Sequence, residues 1–226
     1  MTGKRTYNDR CGIARGLDLV GERWALLVVR ELLLGPKRFS DLRAGLRSIG
    51  PDVLAQRLRD LEGAGVLRRA KLPPPAGAQV YELTEWGREL EPVILALGAW
   101  GSRAPFPAGD ARLGVDSAVL ALKTLFDAAA AGSLAEELEL RLDGERFRAH
   151  VAGGRLDVAR GAADDPVAVI ETDPATLARV LWHGRKLAAA LRAGDVRIEG
   201  DTAAARRFLA LFPPPAPAPA AAAAAR

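Results

Sequence analysis

Leu54, Leu58 and Leu61 recur at i, i+4 and i+7, which lays one apolar stripe along a helix. Gly50-Pro51 opens that helix, because proline fixes φ at a helical value and its missing N–H goes unused in the first turn anyway. Gly65 closes it, in the common role of glycine just past a C-terminus. Asp52, Gln56 and Arg59 project from the opposite side, with Ala55 beside them. Upstream, Phe39, Leu42 and Leu46 form a shorter stripe, with Ser40 and Asp41 placed to cap its start. Downstream, residues 67–72 and 79–84 are extended segments flanking PPPAGA, a stretch too rich in proline and glycine to be anything but a turn. Helix, helix and hairpin predict a winged helix-turn-helix.

The same periodicity predicts the surrounding elements. Ala14, Leu17, Val20 and Gly21, then residues 24–34, form two largely apolar helices broken near Gly21. Residues 85–100 form another, with Thr84 as its N-cap. Its Trp86, Leu90, Val93, Leu97 and Trp100 make a heptad-like seam. That seam either packs into its own domain or joins Leu17 in a dimer interface. A linker at 105–112 follows, and the pattern changes after it. An Ala/Leu-rich helix at 113–131 leads into four extended segments, 138–142, 146–151, 155–160 and 167–172. Asp143-Gly144 and Gly153-Gly154 are two-residue hairpin signals. The alternation in ELELRL puts Leu138, Leu140 and Leu142 on one face. Helices at 174–182, 186–193 and 202–212 and a strand at 196–199 complete this half. The predicted fold class is a mainly α winged helix-turn-helix domain (1–104) plus an α+β domain (113–212), an antiparallel sheet covered by helices. A disordered Pro/Ala tail (213–226) ends the chain.

Composition supports this division. At 226 residues the chain exceeds one winged-helix domain, and 49% apolar residues suffice for two modest cores. Residues 1–104 hold 17 of the 32 Lys/Arg and 12 of the 28 Asp/Glu, so the basic excess lies in the winged-helix half. No apolar run reaches membrane-spanning length, and no apolar region follows Lys4 and Arg5 to make a signal peptide. A single cysteine rules out an intrachain disulfide and fits a reducing cytoplasm, the expected location. His150 and His183 stand in different elements without metal-ligand spacing, and no nucleophile elbow, P-loop or dinucleotide fingerprint is present. Neither catalysis, a metal nor a cofactor is expected, and membrane association is not.

The chemistry that remains is that of duplex DNA. Gln pairs bidentately with adenine and Arg with guanine, and an alanine methyl suits a thymine methyl. Asp52, Ala55, Gln56 and Arg59 are therefore the candidate base contacts. Arg38, Ser40, Arg57, Arg68, Arg69 and Lys71 are candidates for phosphate, which supplies affinity and register but no sequence information.

Several pieces in order carry a family resemblance over the first hundred residues: Cys11 before Leu17-Asp18, Gly21-Glu22-Arg23-Trp24, Arg38-Phe39, Leu54, Arg57-Leu58, Leu61-Glu62, Gly65, Tyr81-Glu82-Leu83-Thr84 and Leu97-Gly98-Ala99-Trp100. The run resembles the HxlR-type winged-helix transcriptional regulators. The resemblance implies a homodimer that binds operator DNA and represses or activates neighbouring genes. Gly50 departs from it, since relatives often carry a serine there that caps the helix. In some relatives a cysteine at the position of Cys11 senses oxidants or electrophiles. Here Cys11 is either such a redox site or a small apolar filler.

The second half resembles the sterol carrier protein type 2 fold through Thr172-Asp173, Thr176-Leu177, Leu181, Gly184, Leu187, Ala190, the run 194–201 and Phe208-Leu209. That resemblance implies an apolar cavity for a lipid-like effector. Leu181, Trp182, Leu187, Leu191, Phe208 and Phe212 would line it, or would fill an ordinary core. The alternative function is a carrier of lipid or another hydrophobic small molecule with a vestigial DNA-binding domain.

Overall fold

The computed structural model describes residues 6–73, 77–105 and 112–218. Two compact units divide the chain, Met1–Ile94 and Leu95–Arg226.

In the first unit, α1 (Gly12–Val20) and α2 (Ala25–Leu32) are separated by Gly21 and by Trp24, whose φ of 78° takes the backbone out of any helix. Then come α3 (Phe39–Gly45) and α4 (Pro51–Gly63), followed by the hairpin β1 (Leu67–Lys71) and β2 (Gln79–Leu83). Of the connecting PPPAGA stretch, residues 74–76 lie outside the described residues. Val28, Val29 and Leu32 of α2 close on Leu42 and Leu46, and on Leu54, Leu58 and Leu61 of α4. All three α4 leucines are fully buried, so the helix is fixed by the stripe visible in the sequence.

Two further devices position α3 and α4. Lys37 exchanges both backbone hydrogen bonds with Tyr81, at 3.0 and 2.8 Å, which adds a short third rung to the hairpin just before α3. Its ammonium reaches the buried carboxylate of Glu31 at 2.6 Å, alongside Arg30 at 2.7 Å. At the end of α4, Gly65 adopts φ +73°, so the N–H of Val66 bonds the Leu61 carbonyl and that of Gly65 bonds Glu62. The Val66 carbonyl accepts in turn from the N–H of Thr84 at 3.1 Å, while the Thr84 hydroxyl donates to the Gly65 carbonyl at 2.7 Å, with the Val66 oxygen farther off at 3.2 Å. Gly87 packs against the same oxygen, and a Cβ at Gly87 would lie 1.9 Å from it.

The expected capping role of Ser40 is not met. Asp41 accepts the N–H of Arg38 at 3.1 Å, and Ser40 only donates to Asp41. Thr84 does cap, accepting from the Gly87 N–H at 3.0 Å. The single helix expected at 85–100 is two, α5 (Glu85–Arg88) and α6 (Glu91–Gly101). Pro92 explains the break: it has no N–H for the Arg88 carbonyl, and its ring would collide with that carbonyl in a continuous helix. The division between the two units falls within α6.

The second unit begins with α7 (Val115–Leu125) and α8 (Ala128–Ala131), where one helix at 113–131 was expected. Phe126 turns extended there, so that its ring meets Phe212 at 6.1 Å, and Asp127 caps α8 through its carboxylate. Five strands follow: β3 (Glu136–Leu142), β4 (Glu145–Ala152), β5 (Arg155–Arg160), β6 (Ala168–Thr172) and, beyond α9 (Pro174–Trp182) and α10 (Leu187–Ala193), β7 (Val196–Gly200). The chain then forms α11 (Thr202–Leu209). Both hairpin turns have positive φ at each central residue, as Asp-Gly and Gly-Gly allow.

The sheet order is β5-β4-β3-β6-β7, and β3 pairs with β6 in parallel, so the sheet is mixed rather than antiparallel. The cause is the connection 161–167, which leaves the edge strand β5 and crosses to the far side of β3. Leu138, Leu140 and Leu142 line the buried face with Phe147, Ala149, Val151 and Ile170. On the other face Glu139 is fully buried. Its carboxylate accepts from Arg141 at 2.7 Å, from Arg146 at 2.8 and 3.0 Å, and from the N–H of Ala163 in the crossing segment at 3.0 Å. In the expected tail, the Arg103 guanidinium donates to the Ala216 carbonyl at 3.1 Å, and the Arg103 carbonyl accepts from the Ala218 N–H at 2.8 Å. Residues 219–226 of that tail lie outside the described residues.

Burial raises the Glu139 pKa, but the hydrogen bonds from Arg146, Arg141 and Ala163 outweigh it and hold it at about 2, below the ordinary 4.5. A carboxylate lowered on folding contributes stability that is full above about 4.5 and is lost as pH falls toward about 2. Thermal unfolding should therefore show a steep loss of stability across that interval. Glu139→Gln should cost on the order of 3 kcal/mol at neutral pH and flatten the acid limb. An acid limb unchanged by the substitution would disprove this assignment.

Candidate nucleic-acid interface

The two helices and the hairpin bring most of the expected contacts onto exposed surface. Asp52, Gln56 and Arg59 are exposed along α4, and Ala55 is half-buried at its flank. Arg38 and Ser40 are exposed at the start of α3, and Arg68, Arg69 and Lys71 on β1. Asp52 in the first turn also complements the helix dipole.

These side chains are already engaged with one another. Gln56 donates to Asp60 at 2.7 Å and accepts from Arg59 at 2.6 Å, so both ends of its amide are occupied. Arg68 pairs with Glu82 across the hairpin at 2.7 Å. Arg69 pairs with Glu62 of α4 at 3.2 Å and lies 5.7 Å from the centre of the Tyr81 ring. Exposed pairs of this sort are worth roughly 0–1 kcal/mol, so a phosphate can displace the carboxylates at small cost.

Arg57 departs from the group. Its side chain is only 13% exposed and is held by Asp60 at 3.2 Å and by Glu22, in the break between α1 and α2, at 3.6 Å. Its placement is that of a brace between α4 and that break. Arg43 on α3 and Arg47 in the following turn, each directly after a buried leucine, are exposed cations beyond those expected. Val53 on α4 is exposed where a valine does nothing for the core.

The residues expected at a dimer interface are largely uncovered. Leu17, Trp86, Val93 and Leu97 are exposed, and Trp100 is 74% exposed. Leu90 instead packs against the core and lines an apolar cleft of about 240 Å³ with Gly16, Leu19, Val20, Val66, Trp86 and Glu89. Cys11 is a free, exposed thiol at the N-cap of α1, its N–H bonded to Asp9 at 2.9 Å. The six candidate cavity residues divide. Phe208 and Phe212 are buried edge to face, 5.0 Å apart, in the packed core, whereas Leu181, Trp182, Leu187 and Leu191 are half-buried on α9 and α10. Among the described residues no group of three acids, histidines or cysteines is placed to hold a metal, and no helix is long and apolar enough to cross a membrane.

The sequence profile of the HxlR-like helix-turn-helix family matches residues 19–106, the stretch that holds α2 to α6. The HTH-type transcriptional regulator YvaP of Bacillus subtilis, itself uncharacterized, is 34% identical over 88 residues, spanning 39% of this chain and 82% of that protein. The chain belongs to the HxlR-like helix-turn-helix family. Among solved structures, the transcriptional regulator YodB of B. subtilis in its reduced form is 32% identical over 42% of this chain and 94% of its own, with a TM-score of 0.38. A stereoselective inverting sec-alkylsulfatase of Pseudomonas sp. is 17% identical over 41% of this chain and 15% of its own, with a TM-score of 0.39. The HxlR-like match covers α4 and the hairpin, and it ends before the mixed sheet begins.

In a competition binding assay, Gln56→Ala should relax preference at one base step by ~1–3 kcal/mol while leaving preferences elsewhere intact. Arg69→Ala should weaken all duplexes alike and reduce the salt slope by about one unit. Unchanged base preference in the first variant, or altered base preference in the second, would reverse these roles.

Proposed function

We propose that this chain is a transcriptional regulator that reads operator DNA as a homodimer, working in the cytoplasm where that DNA lies. One observation carries the reading: α4 presents Asp52, Gln56 and Arg59 outward on a backbone locked by three fully buried leucines, beside a basic hairpin. In this reading α4 enters the major groove, Gln56 and Arg59 meet adenine and guanine edges, and Asp52 accepts from cytosine. Arg38, Ser40, Arg43, Arg47, Arg68, Arg69 and Lys71 hold the flanking phosphates. Arg57 contributes by fixing α4 rather than by touching the duplex.

The homodimer is supported by α6, none of whose residues is buried although it carries Val93, Leu97 and Trp100 on one face. Two-fold pairing through that face would place two reading helices about 34 Å apart, one turn of DNA; Leu17 and Trp86 are exposed as well. The mixed sheet and its helices form the effector-binding part, a sterol-carrier-like domain, with Leu181, Trp182, Leu187 and Leu191 as the side chains open to an apolar ligand. Cys11, exposed at the start of α1, is a candidate for oxidation in this reading.

Selection of bound duplexes from a genomic pool should enrich sites with two half-sites in inverted repeat. Sedimentation velocity should give a dimer that Leu97→Glu converts to monomers, with loss of at least tenfold in operator affinity. A monomeric parent chain would remove the two-fold reading. No enriched duplex, together with lipid-like molecules retained on the purified protein, would make the chain a carrier instead.

A further inference from the structure

We propose that Val53 senses the 5-methyl group of a pyrimidine in the major groove. This deepens, and rests on, the DNA-reading role proposed for α4. Val53 is 45% exposed in the first turn of that helix. The N-terminal residues of a recognition helix are those that meet base edges. Val53, Gln56 and Asp60 stand at i, i+3 and i+7, so the valine shares a ridge with the reading amide. Ala55, the methyl contact expected from the sequence, lies on the opposite flank and is half-buried.

Stability of the fold does not account for a valine at this position. The side chain is absent from the core, and an exposed β-branched residue is a poorer helix former than alanine or lysine. What valine supplies is a rigid pair of methyls, since its χ1 is about 90% in one rotamer within a helix. Its Cγ2 lies 4.0 Å from where a Cβ on Gly50 would be, so it leans back over the start of the helix. Glycine at the N-cap leaves that approach uncovered. With Gly50 as N-cap no side chain caps the helix, and an apolar surface is left open at its leading end. A thymine methyl is the apolar group that the major groove displays, and 5-methylcytosine displays the same group on a different base pair. An A·T pair would satisfy both members of the ridge, its adenine edge meeting Gln56 and its thymine methyl meeting Val53.

The test uses the full chain and duplexes selected by it. Each thymine of the enriched half-site is replaced by uracil, which deletes only the methyl, and each cytosine by 5-methylcytosine, which adds one. One uracil substitution should weaken the parent chain about fourfold, the worth of one methyl removed from apolar contact. Val53→Ala, with an unchanged circular dichroism spectrum, should bind the thymine and uracil duplexes equally and keep the parent's preferences elsewhere. Methyl dependence at a thymine identifies that base as the source, and dependence only at a cytosine identifies methylated DNA. Indifference of the parent chain to both replacements at every position would overturn the proposal, as would a Val53→Ala variant that retains the full ratio. A pool with no enriched duplex would overturn the DNA-reading role and this inference together, whereas enrichment without methyl dependence overturns this inference alone.

Discussion

The peptide between Val66 and Leu67 is the joint on which the first unit depends. On its N-terminal side, the N–H of Val66 ends α4 by bonding Leu61. Its carbonyl receives the N–H of Thr84 and is covered by Gly87, while the Thr84 hydroxyl donates to the neighbouring Gly65 carbonyl. Three elements therefore share one residue: the reading helix, the base of the hairpin and the first turn after it. Hydrogen bonds fix the junction between α4 and β1 together with the buried side chains of Leu61, Val66, Leu67 and Leu83. Gly65 and Gly87 are both required, one for its positive φ and the other because the Val66 oxygen leaves no room for a methyl.

Much of this was legible because it is local. The leucines of α4, its Gly-Pro start and its glycine end are written within sixteen residues, as are the two hairpin turns of the second unit. Features set by distant parts of the chain were not. Arg57 reads as one more surface cation until Glu22, thirty-five positions earlier, draws it inward. Phe126 continues an Ala/Leu helix on paper, and only the ring of Phe212 explains why it leaves. The break at Arg88 is signalled by Pro92, although the heptad seam runs straight through it. The parallel pairing of β3 and β6 left no local trace, since strand order is decided by where 161–167 crosses. The same holds for the outer face of α4, where pattern alone separates outward from inward positions but does not show that Val53 is exposed and Ala55 half-buried.

Glu139 shows what that crossing requires. Alternation along β3 assigns it to the outward face with Glu137 and Arg141, and the pairing bears this out. The face is outward only until the chain passes over it. A carboxylate then becomes useful, because it can hold two guanidinium groups and an N–H of the covering segment at once. The mixed sheet thus hangs on a charged group in a place where the sequence pattern anticipates solvent.

The occupied amide of Gln56 has its own consequence. Water is not the reference state for this side chain, because Asp60 and Arg59 already satisfy it in the free protein. If Gln56 meets a base edge as proposed, a duplex offering adenine in register would exchange one set of bonds for another at little net change. Any other base would either leave the internal set in place, holding the amide back from the groove, or break it without replacement. Discrimination at this position would then come less from attraction to the right base than from the internal bonds that a wrong base fails to replace.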